Sequence, residues 1–212
     1  ISDKTGVIRI TSFTKGVAAE FKTEFLKLKK QGMERLVIDL RDNPGGILSE
    51  AVSIVSMFVN KGEKIVYTKP KLSSWAETYT SQIDPLDLEI PILVMVDEGS
   101  ASASEVVSGA FQDLDRAVIV GKKSFGKGLV QNVLPLDYNT SLKITVAKYY
   151  IPSGRCVQNI EYFEKDTAKG AFKIPDSLAV AFKTKNGRTV YDKGGVEPDV
   201  LTEDTLLSEV LA

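Results

Sequence analysis

The chain contains no histidine, and this absence excludes more chemistry than any single motif supplies. A serine–histidine–aspartate arrangement cannot be built. Most zinc, copper and non-haem iron sites lean on imidazole and are excluded with it, so no metal or other cofactor is expected. Acid–base chemistry near neutral pH falls to a perturbed lysine, carboxylate, tyrosine or cysteine. Cysteine is nearly absent too. Cys156 stands alone, which rules out an internal disulfide and leaves the redox compartment open. Its setting, Ser153-Gly-Arg-Cys-Val157, reads as a turn entering a strand, and a structural thiol is expected there. Neither sign of charge is in excess: 27 basic against 28 acidic residues give a net charge of −1. A nucleic-acid or anionic-membrane partner would call for a basic patch, so neither is expected. No apolar run approaches the ~20 residues that cross a bilayer, and no signal peptide is visible. The start at Ile1 rather than methionine raises the expectation of a processed product or an excised fragment.

Strand and helix signals alternate through the first two thirds of the 212 residues. Val7–Thr11 alternates as a short strand. An amphipathic stretch from about Val17 to Lys30 puts Ala18, Phe21, Phe25 and Leu28 on one face, with Gly32 as its stop. Arg35–Leu40 is an apolar run suited to a buried parallel strand. Arg41–Gly46 is a loop by composition, and Ile47–Val59 reads as a buried helix. Lys64–Lys69 and Ile92–Val96 are strands, and Pro70–Glu89, with Trp75 and Tyr79, reads as a long connection. A Gly/Ser/Ala turn leads into a helix ending near Asp113, followed by a short strand at Ala117–Val120. Leu129–Val133 and Ser141–Tyr150 are rich in strand formers, and Asn186-Gly187 is a hairpin signal. The alternation predicts an α/β fold with a mainly parallel sheet and an additional β-rich portion after Gly128.

Two loops carry chemistry. Asp97–Glu105 holds alternating serines 100, 102 and 104 between an apolar strand and a helix. In α/β folds ligands collect beyond the carboxyl ends of the strands. A serine there can project from the first helical turn, where free amides suit an oxyanion. Ser102-Ala-Ser-Glu105 equally matches a capping box, and local sequence does not choose among the three serines. The second loop is Gly121–Gly128, with Lys127 between two glycines. A lysine acts as a base only where burial leaves its neutral form populated, far below its ordinary value of ~10.4. Phe125, Leu129 and Val130 supply an apolar setting. The octet also approaches the phosphate-cradling G-x-x-x-x-G-K-[ST] pattern. However, Gly128 stands where Ser or Thr would hold magnesium, and a strand rather than a helix follows. No nucleotide is expected.

Taken together, the segments Val7–Phe13, Leu36–Gly46, Gly99–Glu105, Ser124–Gln131, Ala147–Arg155 and Gly194–Val200 resemble the carboxyl-terminal processing peptidases, or tail-specific proteases. That resemblance implies a ClpP/crotonase-like β-β-α superhelix over residues 1–212. It implies Ser102 as nucleophile, Lys127 as general base and Gln131 as the residue orienting that lysine. It further implies an oxyanion hole from the Ala103 amide and one from Gly45 or Gly46, with Glu105 and Asp113 in supporting roles. The plain alternatives are a capping box for Glu105 and helix-end solvation for Asp113. Implied partners are protein or peptide substrates with apolar C-terminal tails or unfolded chains, with a homo-oligomer among the assemblies to test. The implied location is the periplasm or another extracytoplasmic space. Family members carry a PDZ domain ahead of the Val7–Thr11 region, and only six residues precede it here, so that domain is expected to be absent from this chain. A catalytically silent peptide-binding or scaffolding homologue is the competing reading.

Overall fold

The computed structural model describes residues 4–70, 73–161, 172–173, 175–192 and 194–203. In chain order the first half contains β1 (Thr5–Arg9), α1 (Val17–Lys30), β2 (Arg35–Asp39), α2 (Leu48–Ser56), β3 (Lys64–Pro70), β4 (Thr78–Thr80) and β5 (Ile92–Val96). Then follow α3 (Ala103–Asp113), β6 (Val118–Gly121), β7 (Leu129–Pro135) and β8 (Ser141–Tyr150). The remainder holds β9 (Ile160–Glu161), β10 (Phe172–Lys173), β11 (Ala181–Lys183), β12 (Thr189–Tyr191) and β13 (Val200–Leu201).

The predicted parallel sheet is present, in the order β1-β2-β5-β6-β13, with every neighbouring pair parallel. Its strands are short apolar runs because helices cover it; Leu36, Ile38, Val94, Val96 and Ile119 are all buried. The helices pack on one another around Phe58, whose ring meets Phe25 edge-on at 5.1 Å, Phe21 at 6.0 Å and Phe111 at 6.2 Å. The predicted face of α1 is observed, with Ala18, Phe21 and Phe25 buried.

The β-rich portion after Gly128 supplies β7 and β8 of an antiparallel sheet in the order β4-β3-β8-β7, whose other two strands come from before it. Its long β7–β8 hairpin extends away from the core, leaving Val133, Leu134, Leu136, Tyr138, Leu142 and Ile144 exposed. Smaller antiparallel pairs join β9 to β10 and β11 to β12, the latter around the predicted Asn186-Gly187 turn.

Two expectations shift. The first strand begins at Thr5 and ends at Arg9, because the chain then bends toward the Gly45-Gly46 loop. There Phe13 N donates to Gly45 O (2.9 Å) and Ile47 N donates to Phe13 O (2.8 Å). The Pro70–Glu89 connection contains β4, which pairs with β3 and adds a strand to the second sheet. Three residues are too few for a visible alternation.

Candidate active site

Three loops leave the carboxyl ends of the neighbouring strands β2, β5 and β6 and meet over the parallel sheet. This is the position that open α/β sheets reserve for ligands. The loop after β2 brings Gly45 and Gly46, the loop after β5 brings Ser102, and the loop after β6 brings Lys127. With residues of β7, β8 and β4 they enclose a cleft of about 580 Å³. Ser102, Ala103, Lys127, Gln131, Gly45, Gly46 and Tyr149 all line it.

The structure separates the three serines that local sequence left equivalent. Ser100 is fully buried, and its hydroxyl donates to Leu40 O at 2.8 Å. Ser104 is also fully buried and donates to Asn43 O at 2.9 Å. Ser102 faces the cleft. Its backbone sits at φ 57°, ψ −112°, a left-handed conformation that is costly for serine and characteristic of a strained strand-to-helix turn. Gly45 packs directly against this turn. A Cβ there would lie 2.6 Å from Ala101 O and 2.8 Å from Ser102 Cβ, so no larger residue fits.

Glu105 joins the two chemistry-bearing loops. It is fully buried and accepts four hydrogen bonds. Ser124 Oγ (2.6 Å) and Gly126 N (2.7 Å) donate to Oε1, while Ser102 N and Lys127 N (both 2.8 Å) donate to Oε2. Burial pushes its carboxyl up, while the donors from Ser124, Lys127, Ser102 and Gly126 pull it back toward the ionised form. The predicted capping box is therefore present, and it extends to the lysine loop. This same grip disposes of the phosphate-loop alternative, because the amides of Gly126 and Lys127 point at a protein carboxylate. The loop is further anchored where Phe125 N donates to Ser100 O (3.0 Å). Gly126, at φ 89°, is held so tightly that a Cβ would lie 2.4 Å from Asn159 Cβ.

The two glycines of the loop after β2 differ in their amides. Gly45 N donates to the Asn43 side chain at 2.9 Å, whereas among the described hydrogen bonds Gly46 N and Ala103 N have no acceptor. Gln131 is exposed in the cleft wall, and its amide donates to Thr145 Oγ1 at 3.4 Å.

Asp113 lies elsewhere. It closes α3 about 15 Å from the helix start and is fully buried against Arg155, whose Nη2 lies 2.9 Å from Oδ1. Ser153 N donates to its other oxygen at 2.9 Å. Its role is to neutralise a buried guanidinium. Neither proximity to the cleft nor helix-end solvation describes it. Cys156 is half-buried in a stretch outside any strand, which corrects the expected strand entry; burial pushes its thiol up. Sequence reasoning passed over Tyr149, Asn43 and Ser124. Each sits inside a recognised segment, but a strand tyrosine, a loop asparagine and a lone serine carry no local signal of their partners.

Comparison with known proteins agrees with this geometry. Residues 4–168 match Peptidase family S41. A carboxy-terminal-processing protease of Bartonella bacilliformis is 42% identical over 159 residues, covering 73% of this chain and 36% of that protein. A carboxyl-terminal-processing protease of Picosynechococcus sp. is 40% identical over 150 residues, covering 71% and 36%. The chain thus spans about a third of the length of these relatives. Among solved structures, the photosystem II D1 C-terminal processing protease superposes with a TM-score of 0.70 at 30% identity, over 94% of this chain and 42% of that one. A lipoprotein from Streptococcus agalactiae shares the fold alone, with a TM-score of 0.59 at 14% identity, over 96% and 63%. The cleft at the strand ends, the matched residues and these relatives lead to one assignment: the chain belongs to peptidase family S41, the carboxyl-terminal processing proteases, which are serine peptidases.

Proposed function

We propose that this chain is the catalytic core of a serine endopeptidase that works through a Ser102–Lys127 dyad. The observation that carries the reading is the Glu105 grip, in which one buried carboxylate holds the backbone amides of both residues at the mouth of one cleft. Neutral Lys127 takes the proton from Ser102 Oγ as that oxygen attacks the scissile carbonyl carbon. The carbonyl π electrons move onto oxygen, and two backbone amides, one at the start of α3 and one in the loop after β2, receive the charge. Ala103 supplies one such amide. Gly46 supplies the second, since the Gly45 N–H is already given to Asn43. The charged lysine then protonates the departing amine as the C–N bond breaks. Water, deprotonated by the same lysine, hydrolyses the resulting acyl-enzyme. Gln131 lines the same cleft, where its amide now holds Thr145 at 3.4 Å, and in this reading it orients the Lys127 amine.

Substrates in this reading are protein chains cut near an apolar carboxyl terminus or in an unfolded segment. The likeness to processing proteases supports that choice, and with it an extracytoplasmic setting. In the full-length protein, Ser102→Ala and Lys127→Ala should each lower cleavage of an unfolded substrate by about 10³-fold or more, with unchanged melting temperature. A fluorophosphonate probe should label Ser102, whereas a silent homologue would not react. Full cleavage by either variant would sink the proposal.

A further inference from the structure

The dyad is carried by two separate pieces of backbone, the start of α3 and the loop ahead of β7. A misplacement of about 1 Å between them is enough to cost two orders of magnitude in rate. Glu105 fixes them from the N–H side. A different group fixes them from the C=O side. The Tyr149 hydroxyl donates to Ser102 O at 3.1 Å and makes a shorter bond to Lys127 O, one proton shared between two carbonyls. Tyr149 is only 2% exposed. Its own backbone is fixed on both flanks, because its N–H donates to Gly128 O at 2.9 Å and it stands opposite Thr68 in the β3–β8 ladder. A buried phenol needs a partner for its hydroxyl, and here both acceptors belong to the reacting residues. Burial and the nearby Glu105 charge push the hydroxyl well above its ordinary value, so it stays protonated as a donor. The Ser102 carbonyl also receives the amides of Glu105 (2.9 Å) and Val106 (3.0 Å), so loss of the phenol would loosen the Lys127 side first.

We infer that Tyr149 is a positioning residue for the dyad, its hydroxyl setting the spacing of the Ser102 and Lys127 backbones. This rests on the Ser102–Lys127 reading but fails separately from it. The experiment uses the full-length protein carrying Tyr149→Phe, with active sites counted by fluorophosphonate titration so that misfolded molecules drop out. The expected result is a kcat lowered about 10- to 100-fold with KM held within about two-fold. Tyr150→Phe, whose ring instead stacks on Tyr67 at 5.3 Å, should keep wild-type kcat. An unchanged kcat in Tyr149→Phe overturns the inference. So does a change confined to KM, which would make the phenol a substrate contact, or an equal loss in Tyr150→Phe, which would mean general damage to the sheet. Should Tyr149→Phe fail to fold, 3-fluorotyrosine placed at the same position keeps the shape and alters only the donor. A kcat that moves at constant KM then supports the inference, and an unmoved kcat overturns it. Undiminished cleavage by Ser102→Ala or Lys127→Ala would instead defeat the underlying dyad.

Discussion

Glu105 combines complete burial with four hydrogen bonds, and every one of its partners is a donor. Glutamine would keep the shape but turn one acceptor into an NH₂ group facing N–H or O–H donors. Glu105→Gln should therefore lose about 2–5 kcal/mol of unfolding free energy in urea. It should also lose kcat more than KM, as measured by steady-state cleavage. Asp39 is itself buried, but it pairs with an arginine that reaches the surface. Arg41 beside it, with Nε 2.9 Å from Oδ1 and Nη2 2.8 Å from Oδ2, holds its carboxyl below the usual range. A lowered folded value gives stability that is present above the unfolded carboxyl's value near ~4 and lost as pH falls through the folded value. The gap in melting temperature between wild type and Asp39→Asn should thus be widest near neutrality and close as pH falls below about 4. It should be small, because Arg41 is half exposed. A gap of constant size from pH 7 to 3 would refute this assignment.

α3 is buried along its whole length, so each polar side chain on it must be satisfied inside the protein. Its last residue shows the cost of failing to do so. Asp113→Ala would strand the Arg155 guanidinium, which is 1% exposed, and should cost about 3–5 kcal/mol in urea unfolding. Adding Arg155→Met should return much of that loss, which separates a buried-charge penalty from a catalytic one. The elements themselves were legible in the sequence. Apolar runs located β2 and β5, the 3.6-residue period gave the buried face of α1, and the Ser102–Glu105 spacing gave the capping box. What stayed hidden depends on partners distant in the chain. Arg155 lies 42 residues from Asp113, and the Tyr149 hydroxyl reaches Ser102 across 47. Three of the four donors to Glu105 come from a loop that no local pattern ties to α3. Gln131 illustrates the converse: its position in the cleft followed from the motif, but its hydrogen bond to Thr145 depends on the pairing of β7 with β8.

Over the molecule as a whole, stability and chemistry occupy different regions. The aromatic cluster around Phe58 ties together α1, the end of α2 and α3, while the cleft lies where three loops leave the parallel sheet. Phe58→Ala should cost about 3–5 kcal/mol by cavity formation, read as an earlier urea midpoint, while kcat per titrated active site stays close to wild type. The two regions are linked by α3, which begins under the cleft and passes Phe111 into the cluster. Within the cleft, the contacts of Glu105 and Tyr149 with Ser102 and Lys127 end on main-chain atoms: two amide nitrogens and two carbonyl oxygens. The identities of the side chains at positions 102 and 127 are thereby freed from the job of shaping their own surroundings. A thiol or a methyl group at one, or a shorter amine at the other, would be presented from the same fixed seat, so differences among such variants report the reactivity of the group itself.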